Sequence, residues 1–351
     1  MQTMNNNILK NFYEYMEKKN YPIDAQFVFV YNDYSTYTDD PHLEECFDED
    51  EVHEILDSVS DIFKETIALG SENEFLNWLF LRKCSDKKIY VYTMAQYVNG
   101  FGRRALIPAL CQYYGLINLN ADTYMSTIGC NKETMFKLLL ANNLHDILAP
   151  TIFINTFQSI NFEKITSTLG KHIIIKPICE SCCIDVIILK DYTINELNLH
   201  INTLIQKYGH VMIQKYVFGE EIGITVFFHN NEMYTLTPIQ MVFSSGKTHL
   251  THTDSYYENY QLKTCNVPIE LLEMCKKMSY LLKFHCITRY DFRFDGTNFY
   301  LFDLSPNPTI NGYTSCNLAA QSTLQCDHRG IMRLMAYDKI ALFEPSFNCT
   351  K

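Results

Sequence analysis

ITRYDFRFDGTNFYLFDLSPNP, residues 287–308, is the stretch on which the fold turns. Its two arms are rich in aromatic and aliphatic residues and meet at Asp295-Gly296, a dipeptide that favours a tight hairpin turn. Strand alternation can bring Asp291 and Asp303, one on each arm, to the same side, with Arg289 beside them. Two hard carboxylate oxygens on one face suit Mg²⁺. The same pair also reads as a solvated hairpin face, and taken alone it leaves both readings open.

Upstream, VMIQKYVFG at 211–219 and EIGITVFF at 221–228 read as a pair of strands joined around Gly219, preceded by a helix over 194–208. KHIIIKP at 171–177 is a β-branched strand that ends in Lys176, and VIILKD at 186–191 is the strand after it, with the loop ICESCCID between them. A lysine closing a buried strand is placed to reach over a cleft, although most lysines at element ends are simply solvated. NKETMFKLLLANN at 131–143 has helical spacing, with Leu138, Leu139 and Leu140 assigned to its buried side and Lys132 near its start. Pro150 begins an extended segment, and a linker is expected near 118–128. Nearer the N-terminus, QFVFVYN at 26–32 reads as a buried strand, VHEILDSVSDIFKETI at 52–67 as a helix and KIYVYTM at 88–94 as a second strand. The loop NGFGRR follows, then the helix LIPALCQYYG, closed by Gly115. Alternating strands and helices make the class α/β.

Composition narrows the function. The 351 residues are 47% hydrophobic and 20% charged, enough apolar material for more than one packed unit. A net charge of -11 argues against nucleic acid or an anionic membrane as partner, since both need a basic surface. An anionic ligand must then find local cations. No window is apolar and long enough to span a membrane, and Met1 to Lys10 lacks a signal-like apolar core, so a cytoplasmic protein is expected. The thirteen cysteines suit reduced, small apolar residues. Cys179, Cys182 and Cys183 have a C-x-x-C spacing, but no second ligand pair accompanies it, and they read as small loop residues rather than a zinc site.

In order and spacing these pieces resemble the ATP-grasp superfamily, specifically its D-alanine–D-alanine ligase branch, over roughly residues 85 to 315. The helix at 131–143 resembles the one carrying the family's first phosphate-binding lysine, which falls on Lys132. IIIKPICESCCIDV resembles the strand and loop over the phosphates, with Lys176 at the second lysine and Glu180, Ser181, Cys182 and Cys183 on the loop. VMIQKYVFGEEIGITVF resembles the strand that holds adenine, with Gln214, Lys215, Tyr216 and Val217 at the base and Glu221 at the ribose. The hairpin resembles the metal hairpin, with Arg289 catalytic and Asp291, Asp303 and Ser305 as ligands, helped by Asn307.

The resemblance implies an ATP-grasp fold of three α/β domains with ATP between the central and C-terminal ones. The divisions would fall at 1–120, 121–208 and 209–351. It implies a carboxylate–amine ligase acting on amino acids or similar small molecules through an acyl phosphate, with ATP and two Mg²⁺, Mn²⁺ being able to replace them. Lysines and divalent ions would neutralise the triphosphate, and a guanidinium would steady the tetrahedral oxyanion. The family often forms homodimers. Departures stand out: the loop has Glu-Ser-Cys-Cys in place of Glu-Gly-Ser-Ser, and Asp303 and Ser305 replace glutamate and asparagine. THLTHTDSYYENY shows no lid lysine, with Ser255 or Tyr256 nearby, and YNDYSTYTDDP lacks the family's glycine-rich, acidic substrate stretch. Thr314 or Ser315 would bind the acceptor's carboxylate at a helix N-terminus. A ring-closing ligase and a nucleotide-binding protein without turnover are the alternatives.

Overall fold

The computed structural model describes residues 2–36, 46–82, 87–97, 100, 102–155, 161–244 and 260–347. Ser255 and Tyr256 lie outside the described residues. Helix α1 (Gln2–Glu17) is followed by β1 (Ile23–Val30), α2 (Glu49–Asp57), β2 (Phe63–Leu69), α3 (Glu72–Leu81), β3 (Lys88–Thr93), α4 (Leu106–Tyr114) and β4 (Ile117–Asn118). The four strands form one sheet in the order β2-β1-β3-β4, and every pairing is parallel. Phe27 and Phe29 of β1 face one core and Val28 and Val30 the other, so the sheet is covered on both sides.

Here the sequence reading needs correction. The stretch 52–67 is not one helix: α2 ends at Asp57, and Phe63 onward is the edge strand β2, which pairs with β1. Part of the expected linker at 118–128 is helical, as α5 (Thr123–Gly129), capped by the Asp122 carboxylate. Helix α6 (Lys132–Ala141) buries Leu139 but leaves Leu138 and Leu140 exposed, because consecutive helical residues stand about 100° apart and three cannot share a face.

The second sheet takes β5 (Thr151–Ile154), β6 (His172–Pro177), β7 (Ile187–Lys190) and β8 (Val211–Lys215) in the order β5-β8-β6-β7, all antiparallel, with α7 (Phe162–Leu169) and α8 (Ile194–Tyr208) supplying side chains to its core. Thr193 and Glu196 form a capping box at the start of α8, and Gly209 closes it. Strand β8 lies beyond the expected division at 208, yet it is hydrogen-bonded into this sheet between β5 and β6. It is therefore not the hairpin partner of the strand after Gly219.

That next strand, β9 (Glu220–His229), opens the third sheet, with β10 (Glu232–Thr235), β11 (Ile239–Phe243), β12 (Tyr260–Thr264), β13 (Thr288–Phe294) and β14 (Phe299–Ser305); α9 (Ile269–Leu282) packs on it. The passage between sheets needs Gly219: its φ is +141°, and a Cβ there would stand 1.9 Å from the Phe294 carbonyl oxygen. Finally, α10 (Ser315–Leu324) and α11 (Gly330–Phe343) return to pack with α1 and the first sheet in one core. Among the described residues no helix is long and apolar enough to cross a membrane, and the buried Cys111, Cys275, Cys286 and Cys316 are free thiols.

Candidate active site between the second and third sheets

Strand alternation aims the side chains that line the cavity between these sheets. On β6, Ile173 and Ile175 enter the core under α8, which turns Ile174 and Lys176 to the opposite, cavity face. On β8, Val211 and Ile213 join that same core and Gln214 faces the cavity. All the residues assigned above to the nucleotide line this one cavity: Lys132, Lys176, Glu180 to Cys183, Gln214 to Val217 and Glu221. Asp303 borders it as well.

The hairpin contains a feature that its sequence did not announce. Asp291 lies opposite Asp303 and Phe292 opposite Leu301, so Phe302 is one residue too many and forms a bulge. Tyr300, Phe302 and Asp303 consequently all border the cavity, although Phe302 and Asp303 are consecutive. The Phe302 carbonyl accepts a 2.8 Å hydrogen bond from the Lys176 ammonium.

Around it the charges converge. Lys132 donates to the Glu180 carbonyl at 2.7 Å and lies 3.5 Å from an Asp303 oxygen. Lys176 is almost wholly buried, and burial, opposed by the nearby Asp303 carboxylate, lowers its pKa to about 8. Arg289 and Asp291, two apart on β13, form a forked pair at 2.9 to 3.1 Å. Burial raises the Asp291 pKa, and Arg289 offsets part of that rise. Ser305 stands opposite Arg289, so Arg289, Asp291, Asp303 and Ser305 form two cross-strand pairs separated in the ladder by Tyr290 and Leu304. Asp291 and Asp303 suit a divalent ion: Mg²⁺ is usually held by one or two carboxylates, with water and phosphate completing its shell. Among the described residues no group of three His, Cys, Asp or Glu could hold a metal by itself.

The 178–186 loop carries left-handed backbone without glycine, with φ of +49° at Cys182 and +58° at Cys183. Burial pushes the Cys183 thiol up to about 12, so it sits in the cavity protonated and uncharged. From the first unit, Arg103 reaches Glu180 at 3.4 Å and Arg104 reaches the Ser181 hydroxyl at 3.2 Å. Neither arginine was singled out in the sequence. Nor was Arg293, which lies 2.7 Å from Glu221 and borders the cavity. Its signal was present in TRYDFRF, where alternation places Arg293 on the face of Arg289 and Asp291.

Two expected residues are committed elsewhere. The Asn307 amide oxygen accepts from Asn120 at 2.6 Å and its nitrogen donates to the Thr93 carbonyl at 3.2 Å, which ties the hairpin's exit to the first sheet rather than to the acidic pair. The Thr314 hydroxyl caps α10: it donates to the Asn311 carbonyl and accepts from the Asn317 amide. Ser315 is differently placed. A Cβ at Gly223 would lie 3.6 Å from the Ser315 hydroxyl and 3.5 Å from Asp291, so both approach the same glycine at the N-terminus of α10.

Residues 151–331 match the family model described as D-ala D-ala ligase C-terminus, a span of more than half the chain. No curated protein matches the sequence. Among solved structures, D-alanine–D-alanine ligase from Bacillus anthracis complexed with ATP superposes with a TM-score of 0.67 at 15% identity, covering 92% of this chain and 99% of that one. D-alanyl-alanine synthetase A from Vibrio cholerae gives 0.66 at 13% identity, over 90% of this chain and 99% of that chain. The VanG D-Ala:D-Ser ligase from Enterococcus faecalis gives 0.65 at 13%, over 90% and 100%. At such identities these likenesses show the fold.

Proposed function

The chain belongs to the D-Ala-D-Ala ligase family, ATP-dependent amide-bond-forming ligases of the ATP-grasp fold, and from that premise we propose that it joins the carboxylate of one amino acid or similar small molecule to the amine of another. The observation that supports this reading is the single cavity lined by Lys132, Lys176, the 180–183 loop and the 214–217 strand, with Asp303 at its border. Gln214 to Val217 would hold the adenine, Glu221 the ribose, and Lys132, Lys176 and the loop amides the phosphates. Asp291 and Asp303, with Ser305 beside them, would hold Mg²⁺, which when bound neutralises phosphate charge; two ions belong to this reading, and Mn²⁺ would substitute.

The carboxylate substrate takes the γ-phosphoryl group to give an acyl phosphate, and the amine displaces phosphate from it. Arg289 would steady the oxyanion of that displacement, and its fork to Asp291, which holds the guanidinium in one orientation, supports this role. The α10 N-terminus with Ser315 would hold the acceptor's carboxylate, the positive end of the helix dipole favouring an anion. We place the domain division after Lys215 rather than at 208, in support of which β8 lies in the second sheet. A reducing, cytoplasmic setting and a homodimer complete the reading; the free thiols of Cys111, Cys275, Cys286 and Cys316 support the first.

The test is ADP and phosphate release from Mg²⁺-ATP over a panel of D- and L-amino acids, singly and in pairs, with product identified by mass. Lys176→Ala and Asp291→Asn should each lower turnover about a hundredfold or more, the scale of losing one electrostatic contact to a transition state. Tight ATP binding with no stimulated release by any amino acid or other small carboxylate would sink the ligase reading in favour of nucleotide binding without turnover.

A further inference from the structure

Arg293 stands opposite Glu221 across the β13–β9 ladder, so the two side chains leave the sheet on one face, side by side. Its guanidinium meets the Glu221 carboxylate at 2.7 Å and donates to the Gly219 carbonyl at 3.3 Å. Two aromatic rings hem it in: its central carbon lies 5.7 Å from the Phe243 ring centre and 5.6 Å from that of Phe302. Arg293 is only 8% exposed. A long side chain held by a carboxylate, a carbonyl and two rings has lost most of its rotamer freedom, and the carboxylate it grips shares that rigidity.

We propose that Arg293 is a positioning residue that fixes Glu221 toward the nucleotide's sugar hydroxyls, and thereby makes the protein select ribonucleotides over nucleotides whose sugar lacks both hydroxyls. The inference rests on the reading that Glu221 faces the ribose. A carboxylate left to rotate, or drawn to water, accepts a hydroxyl hydrogen bond in only a fraction of its conformers; one clamped from behind offers it in all of them. Hydrogen bonds to a charged acceptor are also the strong ones, so selectivity lies in keeping the acceptor both charged and still. The adenine and phosphate contacts come from other residues, which makes the sugar preference separable from overall affinity.

Calorimetric titration of the full chain with ATP and with 2′,3′-dideoxy-ATP, both with Mg²⁺, reads this without any amino-acid substrate. The wild-type protein should bind ATP roughly ten- to a hundredfold more tightly than the dideoxy nucleotide, the range expected for hydrogen bonds to a carboxylate. Arg293→Met should shrink that ratio to within about threefold of unity through weaker ATP binding, with dideoxy-ATP affinity little changed. Arg293→Lys, a point charge that cannot span Gly219 and Glu221 with a planar fork, should give an intermediate ratio. Glu221→Gln separates the two ideas. If it loses the preference and Arg293→Met keeps the wild-type ratio, the positioning role is overturned while Glu221 stays at the ribose. If Glu221→Gln itself keeps the ratio, the ribose reading falls and this inference with it. Should Arg293→Met fail to fold, an unchanged ratio in Arg293→Lys overturns the proposal by itself.

Discussion

Lys176 is the residue at which sequence, burial and chemistry meet most directly. Alternation along HIIIKP turns it from the core of the second sheet into the cavity, where burial brings its pKa from the ordinary 10.5 down to about 8. A bound polyanion reverses that shift by giving the ammonium a strong partner. Between about pH 8 and the higher pKa of the complex, the bound form therefore holds more protons than the free form, and affinity must fall as pH rises through that window. ATP binding at pH 8 is expected to take up protons, seen as a binding heat that depends on the buffer's ionisation enthalpy. Lys176→Met should abolish that uptake. Equal heats in phosphate and Tris for the wild-type protein would contradict the assignment. The neighbouring Lys132 has a different environment, a loop carbonyl at 2.7 Å and Asp303 at 3.5 Å, so the two lysines are not interchangeable.

Elements position these residues through close contacts, and Gly129 makes one of the tight ones. It ends α5 two residues before Asn131, whose side chain caps α6 at Lys132. A Cβ on Gly129 would lie 2.1 Å from Cγ and 2.6 Å from Cδ of Pro306, the residue after β14, and a proline ring cannot swing aside. Gly129→Ala should push the α5–α6 corner off the hairpin's end, at about 1 to 3 kcal/mol of stability. ATP should bind more weakly too, because Lys132 moves relative to Asp303. A thermal melt and an ATP titration check both; an unshifted melt would show that the corner yields freely.

The elements also show what a single sequence can and cannot convey. KHIIIKP, the Asp295-Gly296 turn and the Gly115 helix end were legible because period and turn chemistry act within a few residues. FKETIAL was not: as an edge strand with Lys64 and Glu65 exposed, it continues the apolar spacing of α2, and only pairing with β1 makes it β. The Phe302 bulge is likewise a matter of register between two strands. The Asn307 amide is taken by Asn120 and Thr93, partners that only the assembled fold brings near, whereas the Thr314 hydroxyl is taken locally, as a helix cap, by Asn311 and Asn317.

At the scale of the whole molecule the two ends of the chain close on one another. Helices α10 and α11 finish the core that α1 and the first sheet begin, and Arg333 on α11 ties it together. Its guanidinium lies 2.6 Å from Glu17 at the end of α1 and 2.7 Å from Asp61 in the turn before β2, and it donates to the Tyr337 hydroxyl at 2.7 Å. Removing one partner of a fully buried ion pair costs about 3 to 5 kcal/mol because the other charge is stranded. Here Glu17 and Asp61 keep 36% and 59% side-chain exposure and can regain water, so Arg333→Met should cost less, about 2 to 3 kcal/mol, read from the urea midpoint at unchanged slope. Glu17→Gln should cost under half of that, since Asp61 still holds the guanidinium. Below the melting range ATP affinity should not move in either variant, because the cavity's lysines and carboxylates stand on α6, the 178–186 loop and the second and third sheets. A variant that kept its stability but lost ATP binding would mean that the end-to-end closure acts on the cavity itself.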